Sequence, residues 1–201
     1  MRLLPSGSRG LLLELDTLEE VLRRYAALRE ADLPVLDIVP AGRTILVVAD
    51  RGTDLRGLAA QVQEVGSAEQ QRASGPSVEI PVRYDGEDLA EAADLLGCSS
   101  EELVRRHQEE SWAVAFCGFA PGFGYLAGTR FAWDVPRRSS PRTRVPAGSL
   151  ALAGEFTGVY PRESPGGWQL IGHALVDVFD LDRDPPALLV PGAAVRFVEQ
   201  P

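Results

Sequence analysis

The sequence predicts an α+β protein: a small N-terminal α/β sandwich over residues 1–80, then a β-barrel over residues 81–201. Three observations carry this. Up to residue 84 the apolar residues switch between helical and strand spacing in the order β-α-β-β-α-β, the pattern of one sheet with both helices on one face. From Trp112 onward short β-prone runs alternate with tight turns (WAVAF, SLALAG, GWQLIG, VDVFD, ALLVP, AVRFV), which implies a closed or nearly closed barrel. Within that half, Phe116 to His173 gathers ten of the 20 glycines and six of the 15 prolines, residues that fix backbone conformations others cannot hold.

Leu11 to Leu15 reads as the first strand. Thr17 with Glu20 three residues on forms a capping box, and Leu18, Val21, Leu22, Tyr25 and Leu28 recur at helical spacing, predicting a helix over 18–31. Val35 to Val39 and Thr44 to Ala49 are the next strands, and Asp54 to Val65 carries Leu55, Leu58, Val62 and Val65 on one helical face. Residues 66–75 are small and polar, a loop or linker, and Val78 to Tyr84 alternates as the strand that completes the sandwich. Asp88 to Leu96 is a short helix stopped by Gly97. Ser99 and Glu102 make a second capping box for a helix over 100–110, with His107 near its end, where the dipole favours a cation and the residue reads as a helix-end histidine with a structural role.

With 45% apolar and 24% charged residues, a 201-residue chain can bury a sizeable core without disulfides. Cys98 and Cys117 match neither a zinc site nor a disulfide framework and read as free thiols of a cytoplasmic protein. No stretch has the length of a secretion signal or a membrane span. All 20 basic residues are arginine, which excludes a Walker-type phosphate loop and a lysine Schiff base. The net charge is −9, yet residues 116–173 hold six arginines against three acids. This basic island lacks the long face that nucleic acid requires and suits a small anion such as a carboxylate or phosphate.

The island also holds the candidate site residues. In GFAPGFGYL the aromatics Phe119, Phe123 and Tyr125 alternate with glycines around Pro121, giving a flat apolar wall. Pro136–Arg137 and Pro141–Arg142 are two steps in which proline pins the backbone before an arginine, and Arg144 follows; arginine captures planar anions through two parallel hydrogen bonds. Arg142, Arg144 and Ser149 are the catalytic candidates of this segment. Ser149 adds a hydroxyl and a backbone N–H; it lacks the nucleophile-elbow pattern, and neither histidine is assigned as its base. Tyr160, Ser164, Gly166, Gly167, Trp168 and His173 lie in the next turns, where Ser164, Gly166 and Gly167 could aim successive amides at an anion. The histidines and cysteines show no metal-ligand spacing.

The motifs GFAPGFGYLAG, PRRSSPRTRVPAGS, TGVYP and ESPGGWQLIG, in this order, closely resemble the family of 5-oxoprolinase B subunits, also described as the kinase-A-inhibitor or allophanate-hydrolase-subunit-1 family (carboxyltransferase domain, subdomains C and D). The resemblance runs from LLLELD to PGAAVRFV. It implies a cyclophilin-like barrel behind the N-terminal domain. It also implies a hetero-oligomer with the homologous C subunit and the A subunit of 5-oxoprolinase, which together convert 5-oxoproline to glutamate with ATP hydrolysis. The chain is then inactive alone; ATP, with Mg²⁺, is shared with a partner, and this chain holds no metal or organic cofactor of its own. Related members inhibit a sporulation sensor histidine kinase or form half of a biotin-dependent carboxyltransferase of urea carboxylase; these are the alternative readings. Three positions depart from the family pattern. Gly124 stands where a proline is frequent, Phe156 where a glutamine is frequent, and His173 where an arginine often follows LIG.

Overall fold

The structure, a computed structural model, describes residues 1–67 and 76–200. It contains two compact units, Met1–Arg72 and Ala73–Pro201. The loop or linker expected at 66–75 lies, from residue 68 on, outside the described residues.

The first unit is a four-stranded antiparallel sheet in the order β1-β2-β4-β3, formed by β1 (Arg2–Ser6), β2 (Gly10–Glu14), β3 (Val35–Pro40) and β4 (Thr44–Ala49). Alternation aims Leu11, Leu13, Ile45 and Val47 at one face. There they share a buried cluster with Val21 and Leu28 of α1 (Leu18–Glu30) and with Leu58 and Val62 of α2 (Leu55–Glu64). Thr17 accepts from the Glu20 amide and Asp54 from the amides of Arg56 and Gly57, satisfying the first-turn donors. Buried Arg24 donates to the Val62 carbonyl at 2.7 Å and so ties α1 to the end of α2.

Two expectations fail in this unit. Arg2–Ser6, broken by Pro5 and absent from the expected strands, forms β1. Its proline is tolerated because β1 is an edge strand. Residues 78–84, expected to complete this sheet, instead form most of β5 (Ser77–Arg83), a strand of the barrel.

The second unit is a closed seven-stranded barrel in the order β10-β7-β6-β13-β5-β12-β9, closed by β9 against β10. Its strands are β5, β6 (Trp112–Cys117), β7 (Gly124–Ala127), β9 (Ser149–Ala153), β10 (Phe156–Val159), β12 (Gln169–Ala174) and β13 (Ala194–Glu199). Only β13 and β5 run parallel; the other barrel pairs are antiparallel. The short strands β8 (Arg142–Val145) and β11 (Ser164–Gly166) form a separate ribbon. Val82, Trp112, Leu126, Leu150, Leu152 and Phe197 fill the core together with Ala92 of α3 (Leu89–Leu95) and Leu103 of α4 (Ser100–Glu109). The β-prone runs VDVFD and ALLVP meet only at one isolated bridge, Phe179 to Ala187, and do not extend into strands.

Two buried polar groups brace this core. His107 is fully buried among Tyr84, Trp112, Trp133 and Phe197. The Thr157 hydroxyl donates to the Ala151 carbonyl, so it accepts from His107 Nε2–H at 2.9 Å. His107 Nδ1 then accepts from the Tyr84 hydroxyl at 2.8 Å. Burial lowers its pKa to about 3, opposed by the charge of Glu110; the ring is neutral and serves the structural role expected of a helix-end histidine rather than that of a cation. The Glu110 carboxylate accepts from the amides of Ser111, Thr129, Arg130 and Phe131 and from the Trp133 indole. Burial opposes its ionisation, but these donors hold its pKa below the usual range.

Among the described residues no helix is long and apolar enough to cross a membrane.

Candidate functional site

The loops of the basic island converge because of Asp88. Gly86 lets the chain pass directly over β12: a Cβ there would lie 2.3 Å from the Leu170 carbonyl oxygen and 2.4 Å from the Gly172 nitrogen. Two residues later Asp88 lies against β12, donating its amide to the Leu170 carbonyl and accepting the Leu170 amide on Oδ2. The same carboxylate accepts from Arg138 at 2.7 Å and from both terminal nitrogens of Arg142 at 2.8 Å. Burial opposes ionisation of Asp88. The bonds from Arg142 and the Leu170 amide, with the charges of Arg142 and Arg138, outweigh it and hold the pKa below the usual carboxylate range. Glu87 adds a contact to Arg142 at 3.2 Å.

This fixes where each candidate lies. Arg142 and Ser164–Gly166 are brought together by the β8–β11 ribbon, with Gly166 opposite Arg142 and Ser164 opposite Val145. Gly166 admits the Tyr160 hydroxyl, which would lie 2.3 Å from a Cβ at that position. The Gly167 carbonyl accepts the Arg138 amide at 2.8 Å. The Arg142 guanidinium is occupied by Asp88 and Glu87, and that of Arg144, three-quarters exposed, by Glu163. Ser149 is buried at the start of β9, its carbonyl accepting the Tyr160 amide; across the β9–β12 register stands His173, whose Nδ1 lies 2.7 Å from Asp85 Oδ1. No hydrogen bond joins Ser149 to His173 among the described residues.

The aromatics do not form the flat wall expected of GFAPGFGYL. Phe123 is buried, Phe119 protrudes with 57% of its surface exposed and φ of 65°, and Pro121 is exposed. Phe119, Phe123, Tyr160 and Trp168 instead meet edge to face around Phe123.

Beside this cluster opens a cleft of about 490 Å³, within the range of small-ligand sites. Phe116, Tyr125, Phe156 and Trp168 line it, and Asp134 and Arg137 carry charge at its edge. Tyr125 stacks on Phe116 at 4.4 Å between centroids and stands edge-on to Phe156 and Trp168. Burial raises the phenol pKa of both Tyr125 and Tyr160, and the positive charge of Arg137 opposes this at each. Arg137 has no hydrogen bond or ion pair among the described residues.

Of the candidates read from the sequence, Tyr125 and Trp168 line the cleft. Phe116 and Phe156 are not among those candidates; Arg137 is visible in the sequence only as the first of two Pro–Arg steps, and Asp88 only as the start of a helix. The four aromatics of the cleft come from β6, β7, β10 and the turn before β12, so no local spacing connects them.

Residues 1–189 match the family model described as carboxyltransferase domain, subdomain C and D. The chain is 40% identical to the 5-oxoprolinase B subunit of Escherichia coli O157:H7, covering 96% of this chain and 94% of that protein. It is 34% identical to the 5-oxoprolinase B subunit of Haemophilus influenzae, over 87% and 84% of the two chains. Among solved structures, TTHA0988 superposes with a TM-score of 0.78 at 40% identity over 96% of this chain. This chain spans only 40% of the length of TTHA0988. The Kluyveromyces lactis urea carboxylase superposes with a TM-score of 0.77 at 17% identity over 99% of this chain and 22% of that one, a likeness of fold.

Proposed function

The chain belongs to the carboxyltransferase-domain family, subdomains C and D, and from that membership we propose that it is the B subunit of an ATP-dependent 5-oxoprolinase, converting 5-oxo-L-proline, ATP and water to L-glutamate, ADP and phosphate. The observation that carries this reading is its likeness, over nearly the whole length of both chains, to a protein named as the B subunit of 5-oxoprolinase.

The chemistry explains the need for partners. The lactam is a stabilised amide, and transfer of a phosphoryl group to its oxygen would make the ring carbon open to water. This chain has no lysine for a phosphate loop. Among the described residues no group of three His, Cys, Asp or Glu side chains is placed to hold a metal ion. In this reading ATP and its metal are shared with a partner subunit. The present chain contributes a shaped wall of loops around the substrate. Arg142, neutralised by Asp88 and Glu87, holds those loops in place, and Arg144 and Ser149 lie at their edge.

The test is to co-express the chain with the products of its neighbouring genes, purify the assembly through a tag on this chain, and measure phosphate release with and without 5-oxo-L-proline. The reading expects release that depends on 5-oxoproline and matches glutamate formed. Phosphate release indifferent to 5-oxoproline with all partners bound would reject it.

A further inference from the structure

The cleft beside the aromatic cluster has the features of a built recognition site. Its single guanidinium is held by backbone on both sides. The Pro136 carbonyl accepts from buried Gln169 Nε2 at 3.3 Å, and the Arg138 amide donates to the Gly167 carbonyl at 2.8 Å. The Arg138 side chain is tied to Asp88. Arg137 thus lies between two fixed points, while its own guanidinium is free of partners among the described residues. Arg138, Arg142 and Arg144 are all taken up by acids.

We infer that this cleft binds a small monocarboxylate with a flat ring, Arg137 taking the carboxylate and Tyr125, Phe156 and Trp168 enclosing the ring. A planar guanidinium matches a planar carboxylate through two parallel hydrogen bonds. The walls offer aromatic surface, suited to a flat, weakly polar body. Phe156, edge-on to Tyr125, keeps that surface continuous. One cation with Asp134 also at the cleft favours a single negative charge over a dianion such as phosphate. The inference rests on the proposed activity for its choice of ligand, 5-oxo-L-proline, and on the geometry alone for the site.

The experiment uses the full chain and the reconstituted assembly. Calorimetric titration of the chain compares 5-oxo-L-proline with 2-pyrrolidinone, the same ring without its carboxylate. The expected result is binding at least about tenfold tighter for 5-oxo-L-proline, lost by about 10- to 100-fold in Arg137→Gln, as for removal of a charge-assisted hydrogen-bond pair. Arg137→Lys keeps part of the affinity, and Arg196→Gln, on a surface pair with Glu79, keeps all of it. Exposed Arg137 lets the variant fold, checked by an unchanged melting temperature. In the assembly Arg137→Gln raises KM for 5-oxoproline by a similar factor and leaves KM for ATP in place. Equal binding of both ligands, or wild-type affinity and KM in Arg137→Gln, overturns the inference. The two readings fail separately. An assembly that turns over 5-oxoproline with wild-type KM in Arg137→Gln rejects the cleft and leaves the activity. An inactive assembly whose chain still binds the acid through Arg137 rejects the activity and leaves the cleft.

Discussion

Asp88, 4% exposed at its side chain, is the charge on which the arginine loop depends. Removing one member of a buried ion pair strands the other, a loss of about 3–5 kcal/mol when both are fully buried. Arg138 and Arg142 keep some contact with water. Asp88→Asn and Arg142→Ala should therefore each cost about 2–4 kcal/mol in urea unfolding, whereas Arg196→Ala on an exposed pair should cost no more than about 0.5 kcal/mol. His107 gives a pH signature. The unfolded chain binds a proton there below pH about 6.5, the folded chain only near 3. Its contribution is therefore complete above pH of about 6.5 and falls as the solution is acidified. Measured between pH of about 4 and 6, the stability of His107→Gln should vary less with pH than wild type, by about 1.4 kcal/mol per unit. An unchanged slope would show that the ring is charged in the folded chain. Asp88 and Glu110, whose pKa values are also depressed, lose their contributions in the same direction at lower pH. None of these environments is legible in the sequence. Asp88 resembles any helix-starting aspartate, and its partners lie 50 and 54 residues away.

At the scale of elements, local signals are legible and pairing is not. The caps at Thr17, Asp54 and Ser99 are made within four residues, and the helices they open fall where spacing places them. Strand β1 pairs with the adjacent β2 and is missed because Pro5 breaks its pattern, whereas β5 depends on distant partners and local pattern misplaces it: it lies beside β13 and β12 rather than in the first sheet. VDVFD and ALLVP have strand composition but meet no continuous partner. The motif loops are recognisable from their glycines and prolines, while their convergence depends on the Gly86 crossing and on the β8–β11 ribbon. Gly86→Ala tests the crossing. Its Cβ would press into the backbone of β12, so the variant should lose about 1–3 kcal/mol. Gly42→Ala, which meets nothing within 4 Å, should stay within about 0.5 kcal/mol of wild type. Equal stability of the two variants would mean that β12 yields at its bulge without strain.

For the whole molecule, the barrel supplies a rigid frame, and the loops between its strands supply a cleft whose aromatic walls are complete and whose one arginine is unpaired among the described residues. The most direct measurement is an omission series on the purified assembly. Glutamate and phosphate are followed together, with every component present, with this chain left out, and with this chain alone. The account predicts equal amounts of the two products only when all components are present, and neither product from the chain alone. Full turnover without this chain, or by this chain alone, would contradict it.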